Sequence, residues 1–266
     1  MICFLLTIQS LWTFVAASRQ SHSAPDLNLV EKEHVSSLPR LDSSSSDDIL
    51  RRIDAGSPFI IRSIANEWPA TQKWNHNYFK RIFSSNDDLL VSSTFSTTPP
   101  PSTFSANETK KRETYYGIFL NDPILANLVA ADYDLPSFIP GDWWLRGNEW
   151  LHWGWSPSGA QRHVDLMCSS RMSVQVRGQK RWKFYPLVNT SSTQYKDILK
   201  RWEGIVNSGD AVLWFPGWEH ETKILGKDES VSLSLHFWPT GGTRYETHFA
   251  SELAKRIPMK CQWKRG

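Results

Sequence analysis

The sequence predicts a mainly β protein with flanking helices, centred on a β-sandwich or barrel. Three observations lead there. From Trp150 to Trp238, short apolar runs are punctuated by Gly, Pro and Ser, the pattern of a closed or double sheet. Fourteen tryptophans in 266 residues suit a β-rich core with large aromatic packing. Segments with helical spacing fall outside that stretch.

The apolar and charged fractions, 40% and 21%, are those of a globular chain with one substantial core. The net charge of +3 is too balanced to imply a nucleic-acid partner.

Residues 1–17 carry no charged side chain and end in Val15-Ala16-Ala17-Ser18, which reads as a signal peptide too short to span a bilayer comfortably. With sequons at Asn107 and Asn189, this predicts a glycoprotein of the secretory pathway, lumenal in the endoplasmic reticulum or secreted. The mature chain is expected to have no transmembrane span. Cys168 and Cys261 could pair there.

Residues 18–46 are polar, with four consecutive serines, and read as a flexible linker. Order is expected from Asp47. Ile49, Leu50 and Ile53 sit at helical spacing, Ser46 or Asp47 can cap, and Gly56 can end the helix. Pro58 to Ile64 reads as a buried strand, and a Trp68-Pro69 corner follows. Tyr78, Phe79, Ile82 and Phe83 mark a short helix, and Leu89 to Thr94 a strand. Ser96 to Lys111 is an exposed Pro-rich loop. Asp122 to Tyr133 forms a helix with Ile124, Leu125, Leu128 and Val129 on one face. Residues 47–133 are thus N-terminal helices and strands, and 143–240 the core barrel. Residues 241–266 are a closing helix, with Phe249, Leu253 and Ile257 at four-residue steps, and a tail.

Within the barrel region, His163-Val-Asp165 places an imidazole and a carboxylate two residues apart, on one side of an extended strand. A His-x-acid pair arises about once by chance in such a chain, so a second block matters. Gly209 to His220 has a Gly-Asp turn, an apolar strand and a terminal histidine. Facing strands of a double sheet could bring His220 to the pair. Two imidazoles and one carboxylate suit a divalent transition metal with open positions, and the carboxylate shifts the choice toward iron over zinc. Lys180, just past a Gly178 turn, fits two readings. It belongs to a solvated basic turn with Arg177, Arg181 and Lys183, or it is buried and needs an anionic partner such as a dicarboxylate.

The chain resembles the Jumonji-C oxygenases, whose domain is a cupin-type double-stranded β-helix, or jelly roll. The resemblance is carried by Ser57 to Arg62 with Trp68-Pro69, Trp153 to Gly159, His163-Val-Asp165, Arg177 to Pro186, Gly209 to His220, and Ser232 to Trp238. It covers residues 47–240. The seventeen-residue step from His163 to Lys180 resembles the branch of phosphatidylserine-receptor-type hydroxylases. The resemblance implies Fe(II), 2-oxoglutarate and O2 as cofactor and cosubstrates, and a protein or peptide substrate that is hydroxylated. It implies His163, Asp165 and His220 as iron ligands and Lys180 on the distal carboxylate of 2-oxoglutarate. Ser234 would help that lysine, and Ser173 would line the cosubstrate. Two positions depart from the pattern. Ala160 stands where the family commonly has a cosubstrate-binding Thr, with Ser156 or Ser158 as substitutes, and His236 replaces an amide. These departures leave open a catalytically inactive binding or scaffold protein, and a metal cupin without 2-oxoglutarate also stays open.

Overall fold

The computed structural model describes residues 34–84, 115–120, 123–165, 169–186 and 200–238. Two sheets account for most of them, as expected for a jelly roll. The first is built from β1 (His34–Ser37), β9 (Lys200–Val206), β8 (Gln179–Pro186), β11 (Trp218–Leu225) and β6 (His163–Val164), in that spatial order. The second runs β2 (Arg40–Asp42), β3 (Phe59–Arg62), β10 (Ala211–Trp214), β7 (Ser170–Arg177), β12 (Glu229–Phe237), β5 (Trp150–Trp155) and β4 (Tyr115–Phe119). Among the described residues, no helix is long and apolar enough to cross a membrane.

Strand alternation gives the larger sheet two different faces. On β7 and β12, Met172, Val174, Val176, Val231, Leu233 and Leu235 point outward and are almost fully buried. They join the core cluster that also takes in α1 (Ser46–Ala55), α2 (Pro69–Lys73), α3 (His76–Ser84) and α4 (Pro123–Val129). The opposite face carries Arg171, Ser173 and Gln175 on β7, and Ser230, Ser232, Ser234 and His236 on β12. A buried face this polar has to be satisfied from within or by a ligand. It looks across to Lys180, Trp182, Phe184, His220 and Thr222 of the smaller sheet, and that interior is the site.

α1 forms as expected. Ile49 and Ile53, four apart, are fully buried, and Gly56 ends it at φ 64° with its N–H on the Ile53 carbonyl. The N-cap is Ser45, and its hydroxyl makes no capping bond. Pro69 opens α2 at its first turn, where a missing N–H costs nothing.

Three expectations are corrected. Order begins before Asp47: β1 pairs in parallel with β9, and β2 with β3. These strands are too short to show a hydrophobic period; Leu38, between them, is 4% exposed and donates its N–H to the Glu203 carbonyl. The core barrel expected over residues 143–240 also takes β3 and β4, from the N-terminal part of the same 47–240 domain, into its larger sheet. The Asp122–Tyr133 helix is α4 followed by a 3-10 turn over Ala130–Asp132. The expected strand at Leu89–Thr94, both sequons, Cys168, Cys261 and the closing helix lie outside the described residues.

Gly178 turns the chain, as expected, at φ 74°, and the turn carries it from the larger sheet to the smaller. Gly159 is constrained by proximity instead. The Ser158 and Ala160 carbonyls accept from Ile224 and Thr222 N–H of β11, and a Cβ on Gly159 would lie 2.1 Å from the Thr222 carbonyl oxygen. Gly159→Ala is therefore expected to cost about 1–3 kcal/mol. At roughly 2–4 °C per kcal/mol, a thermal melt reads this directly.

Candidate metal centre

β6 and β11 are neighbours in one sheet, with His163 directly opposite His220. This corrects the expectation of facing strands: a two-residue edge strand, not a crossing of the barrel, brings the pair together. Asp165 lies just beyond β6. One ligand atom from each of the three residues falls within 4.8 Å of the others. His163 Nε2 is 3.5 Å from Asp165 Oδ1, and His220 Nε2 is 3.7 Å from Oδ2.

The histidine tautomers follow from their other nitrogens. His163 Nδ1 lies 2.6 Å from the Gln161 carbonyl oxygen, and His220 Nδ1 lies 3.1 Å from that of Trp218. A carbonyl only accepts, so both Nδ1 atoms carry the proton and both Nε2 lone pairs face the carboxylate. That donor set fits a divalent transition metal: two neutral imidazole nitrogens and one carboxylate, with room for further ligands. Burial holds the His220 imidazole down at about 4, which keeps it neutral, although Asp165 pulls the other way. Burial also lowers His163, but a second proton, on Nε2, would bond to Asp165, and with the Gln161 carbonyl this outweighs burial, so the net shift is upward.

Asp165 is positioned from outside the ligand set. Trp214 donates Nε1–H to Oδ2 at 2.9 Å, and Arg171 Nε lies 3.1 Å from the same oxygen. Burial pushes this carboxyl up. His163, the neighbouring His220 ring, the Arg171 charge and the Trp214 N–H together hold it far below the usual carboxylate range. Trp182, Phe184 and Trp214 pack around the His220 ring at centroid distances of 5.9, 5.8 and 5.1 Å. Trp214→Phe keeps that wall and removes one donor, so Co(II) affinity is expected to fall about 10–100-fold in a direct titration.

Lys180 is fully buried, which decides between its two readings. Its Nζ donates to Ser232 Oγ at 2.7 Å, and burial drops its ammonium to about 7. The register puts Lys180 opposite Ile224, four residues along β8 from Phe184, the partner of His220. That separation is about 13 Å of strand. Ser173 and Ser234, cross-strand partners, line the cleft between the two levels. Ser234 was the hydroxyl expected on the lysine; the structure puts Ser232 there, after a register shift between Val231 and Ser232. Gln175 fills the shift, with Nε2 donating to the Arg177 carbonyl, Ser230 Oγ and the Val231 carbonyl.

At Ala160, Ser158 is no substitute, since its hydroxyl donates to the Trp155 carbonyl. Thr222, two residues past His220, lines the cleft instead; its Oγ1 accepts from Ala160 N–H, which leaves the hydroxyl proton to donate. His236 Nδ1 pairs with Ser169 Oγ, and its Nε2 is buried without a partner among the described residues. Sequence reasoning missed Thr222 and Arg171, and it gave Trp214 only a wall position. Even spacing from His220 and Ser173 was the signal that placed the first two on the inner face.

No family model matches the chain. Over 152 residues it is 24% identical to "Arginine-specific demethylase JMJ22" of Arabidopsis thaliana, covering 54% of this chain and 29% of that protein. Over 158 residues it is 25% identical to "Lysine-specific demethylase JMJ21" of the same plant, covering 53% and 16%. The chain thus spans less than a third of either relative. Among solved structures it is similar to Escherichia coli YcfD, at 14% identity and a TM-score of 0.46, over 82% of this chain and 59% of that one. A complex of YcfD, "a Ribosomal oxygenase", with cobalt and succinic acid gives 14% and 0.48, over 83% and 58%.

Proposed function

We propose that this chain carries a Jumonji-C domain and is an Fe(II)- and 2-oxoglutarate-dependent oxygenase that hydroxylates a protein or peptide side chain in the secretory pathway. The convergence of His163, Asp165 and His220 above the buried Lys180 carries the reading. Bound there, iron with 2-oxoglutarate and O2 supplies the oxidation that turns a C–H into C–OH, releasing succinate and CO2.

The rest is work for the chain's own side chains. His163, Asp165 and His220 would hold the metal, leaving its other positions open. Lys180 would give the distal carboxylate of 2-oxoglutarate a charged donor at the closed end of the cleft, with Ser232, Ser234 and Ser173 offering hydroxyls along it. Trp182, Trp214 and Phe184 exclude water. A fully buried lysine has no use in a metal cupin that lacks a dicarboxylate, and the Thr222 hydroxyl weakens the case that Ala160 marks an inactive scaffold. The secretory address rests on the apolar 1–17 run and the sequons, and the phosphatidylserine-receptor branch on the seventeen-residue spacing.

The test is succinate release by the purified chain with Fe(II), ascorbate, 2-oxoglutarate and a pool of candidate peptides. Production above that of His163→Ala is expected, and equal production would sink the reading.

Lys180 adds a pH signature. In the free protein it loses its proton above about pH 7, and a carboxylate beside it restores the charge. Binding 2-oxoglutarate therefore takes up a proton above pH 7 and none well below it. Affinity is expected to fall about tenfold per pH unit from 7 upward. Calorimetry in buffers of different ionisation enthalpy measures the uptake, and pH-independent binding between 6 and 9 would contradict it.

A further inference from the structure

Besides Lys180, Arg171 is the one Lys or Arg of the cleft among the described residues. It lies on β7 between Trp214 and His236 on the neighbouring strands, and its side chain is 14% exposed. Its Nε faces Asp165 Oδ2 at 3.1 Å, without the alignment of a hydrogen bond. Among the described residues, its Nη groups make no hydrogen bond. Burial lowers its pKa and Asp165 raises it, yet a guanidinium stays charged. His152 and His236 are held neutral by burial, and His220, with its proton on Nδ1, is a neutral ligand, so none of the three adds to the charge of Arg171 or offsets it.

The charges then do not close. Asp165 is the one carboxylate lining the cleft among the described residues. It and the two carboxylates of 2-oxoglutarate bring three negative charges against a divalent metal, Lys180 and Arg171, which bring four positive ones. A buried charge without a counterion is expensive. We propose that Arg171 is the substrate-recognising residue of this site, and that it takes a substrate whose carboxylate lies beside the C–H that reacts. This rests on the oxygenase reading. It also sets this cleft against methylated lysine or arginine, which would bring a second unmatched cation.

The full chain loaded with Co(II) and N-oxalylglycine, an unreactive 2-oxoglutarate analogue, provides the test by calorimetry. The probes are N-acetylated, C-amidated Ala-Glu-Ala and Ala-Asp-Ala, their Gln and Asn counterparts, monomethyl-arginine in the same frame, and butyrate against butyramide. The acids are expected to bind about tenfold or more tighter than the amides, and methyl-arginine not at all. A preference confined to peptides, or one shared by butyrate, separates a side chain from a small acid as the source. With Co(II) raised to keep the metal site of each variant saturated, Arg171→Gln should erase the preference while N-oxalylglycine still binds, and Arg171→Lys should keep part of it. Equal or undetectable binding of acid and amide overturns the proposal. So does loss of N-oxalylglycine in Arg171→Gln, which would hand the guanidinium to the cosubstrate. Failure of the wild type to bind Co(II) or N-oxalylglycine would instead bring down the oxygenase reading beneath it.

Discussion

His163→Ala and His220→Ala are each expected to abolish stoichiometric binding of Fe(II) or Co(II), and succinate production with it. Among the described residues three protein ligands make up the site, so losing one leaves two donors around a strongly hydrated ion. The loss should exceed the roughly 10–100-fold drop that follows removal of a supporting contact such as Trp214. The two variants differ in what else they disturb. His163 is 34% exposed on a two-residue edge strand, so its truncation should leave the melting temperature nearly unchanged. His220 is 3% exposed and packed among Trp182, Phe184 and Trp214, so its truncation opens a cavity and should lower the melt by several degrees. Titration of each variant followed by absorbance, with a melt alongside, separates ligand loss from misfolding. Metal retained by both would contradict the assignment.

Lys180→Met is expected to change stability and function in opposite directions. Burial takes this ammonium from 10.5 to about 7, so keeping it charged in the fold costs on the order of 5 kcal/mol. The folded pKa of this base is lowered. The penalty is therefore full below about pH 7, shrinks as pH rises from there, and is gone above the unfolded value of 10.5. Methionine fills nearly the same volume without the charge, and such replacements commonly gain about 1–4 kcal/mol. The variant should melt several degrees higher than wild type at pH 6, and the gap should close toward pH 10. Binding of 2-oxoglutarate should fall more than about 100-fold, since the distal carboxylate would meet an apolar chain end. A variant that is less stable at pH 6, or that binds 2-oxoglutarate normally, would remove Lys180 from the pocket.

Much of this site was legible in the sequence. Alternation put His163 and Asp165 on one side, and the block ending in His220 supplied the third member of the group that the structure brings together. Lys180 was legible only as a choice, because spacing cannot tell a buried lysine from one in a basic turn. The structure settles that choice through sheet pairing, with Lys180 between Ile224 and Val206 on the inner face. Pairing across sheets also hid Thr222, Arg171 and the Ser232 contact. Thr222 looks like an ordinary strand residue until the Ser158–Ala160 segment docks against it, and the shift at Val231 sets which serine meets the lysine. In the fold, the Ile49–Ile53 and Gly56 signals held for α1. β1 and β2 escaped notice because three- and four-residue strands in a polar stretch owe their existence to their partners.

One metal and one molecule of 2-oxoglutarate are expected to meet at His163, Asp165 and His220. The most direct measurement is an anaerobic titration of the Fe(II)-loaded chain with 2-oxoglutarate, following the visible charge-transfer absorption of a 2-oxo acid chelated to Fe(II). A band is expected that saturates at one equivalent, is missing in His163→Ala, and needs a far higher 2-oxoglutarate concentration in Lys180→Met. Fe(II) and 2-oxoglutarate that both bind without producing the band would contradict this expectation.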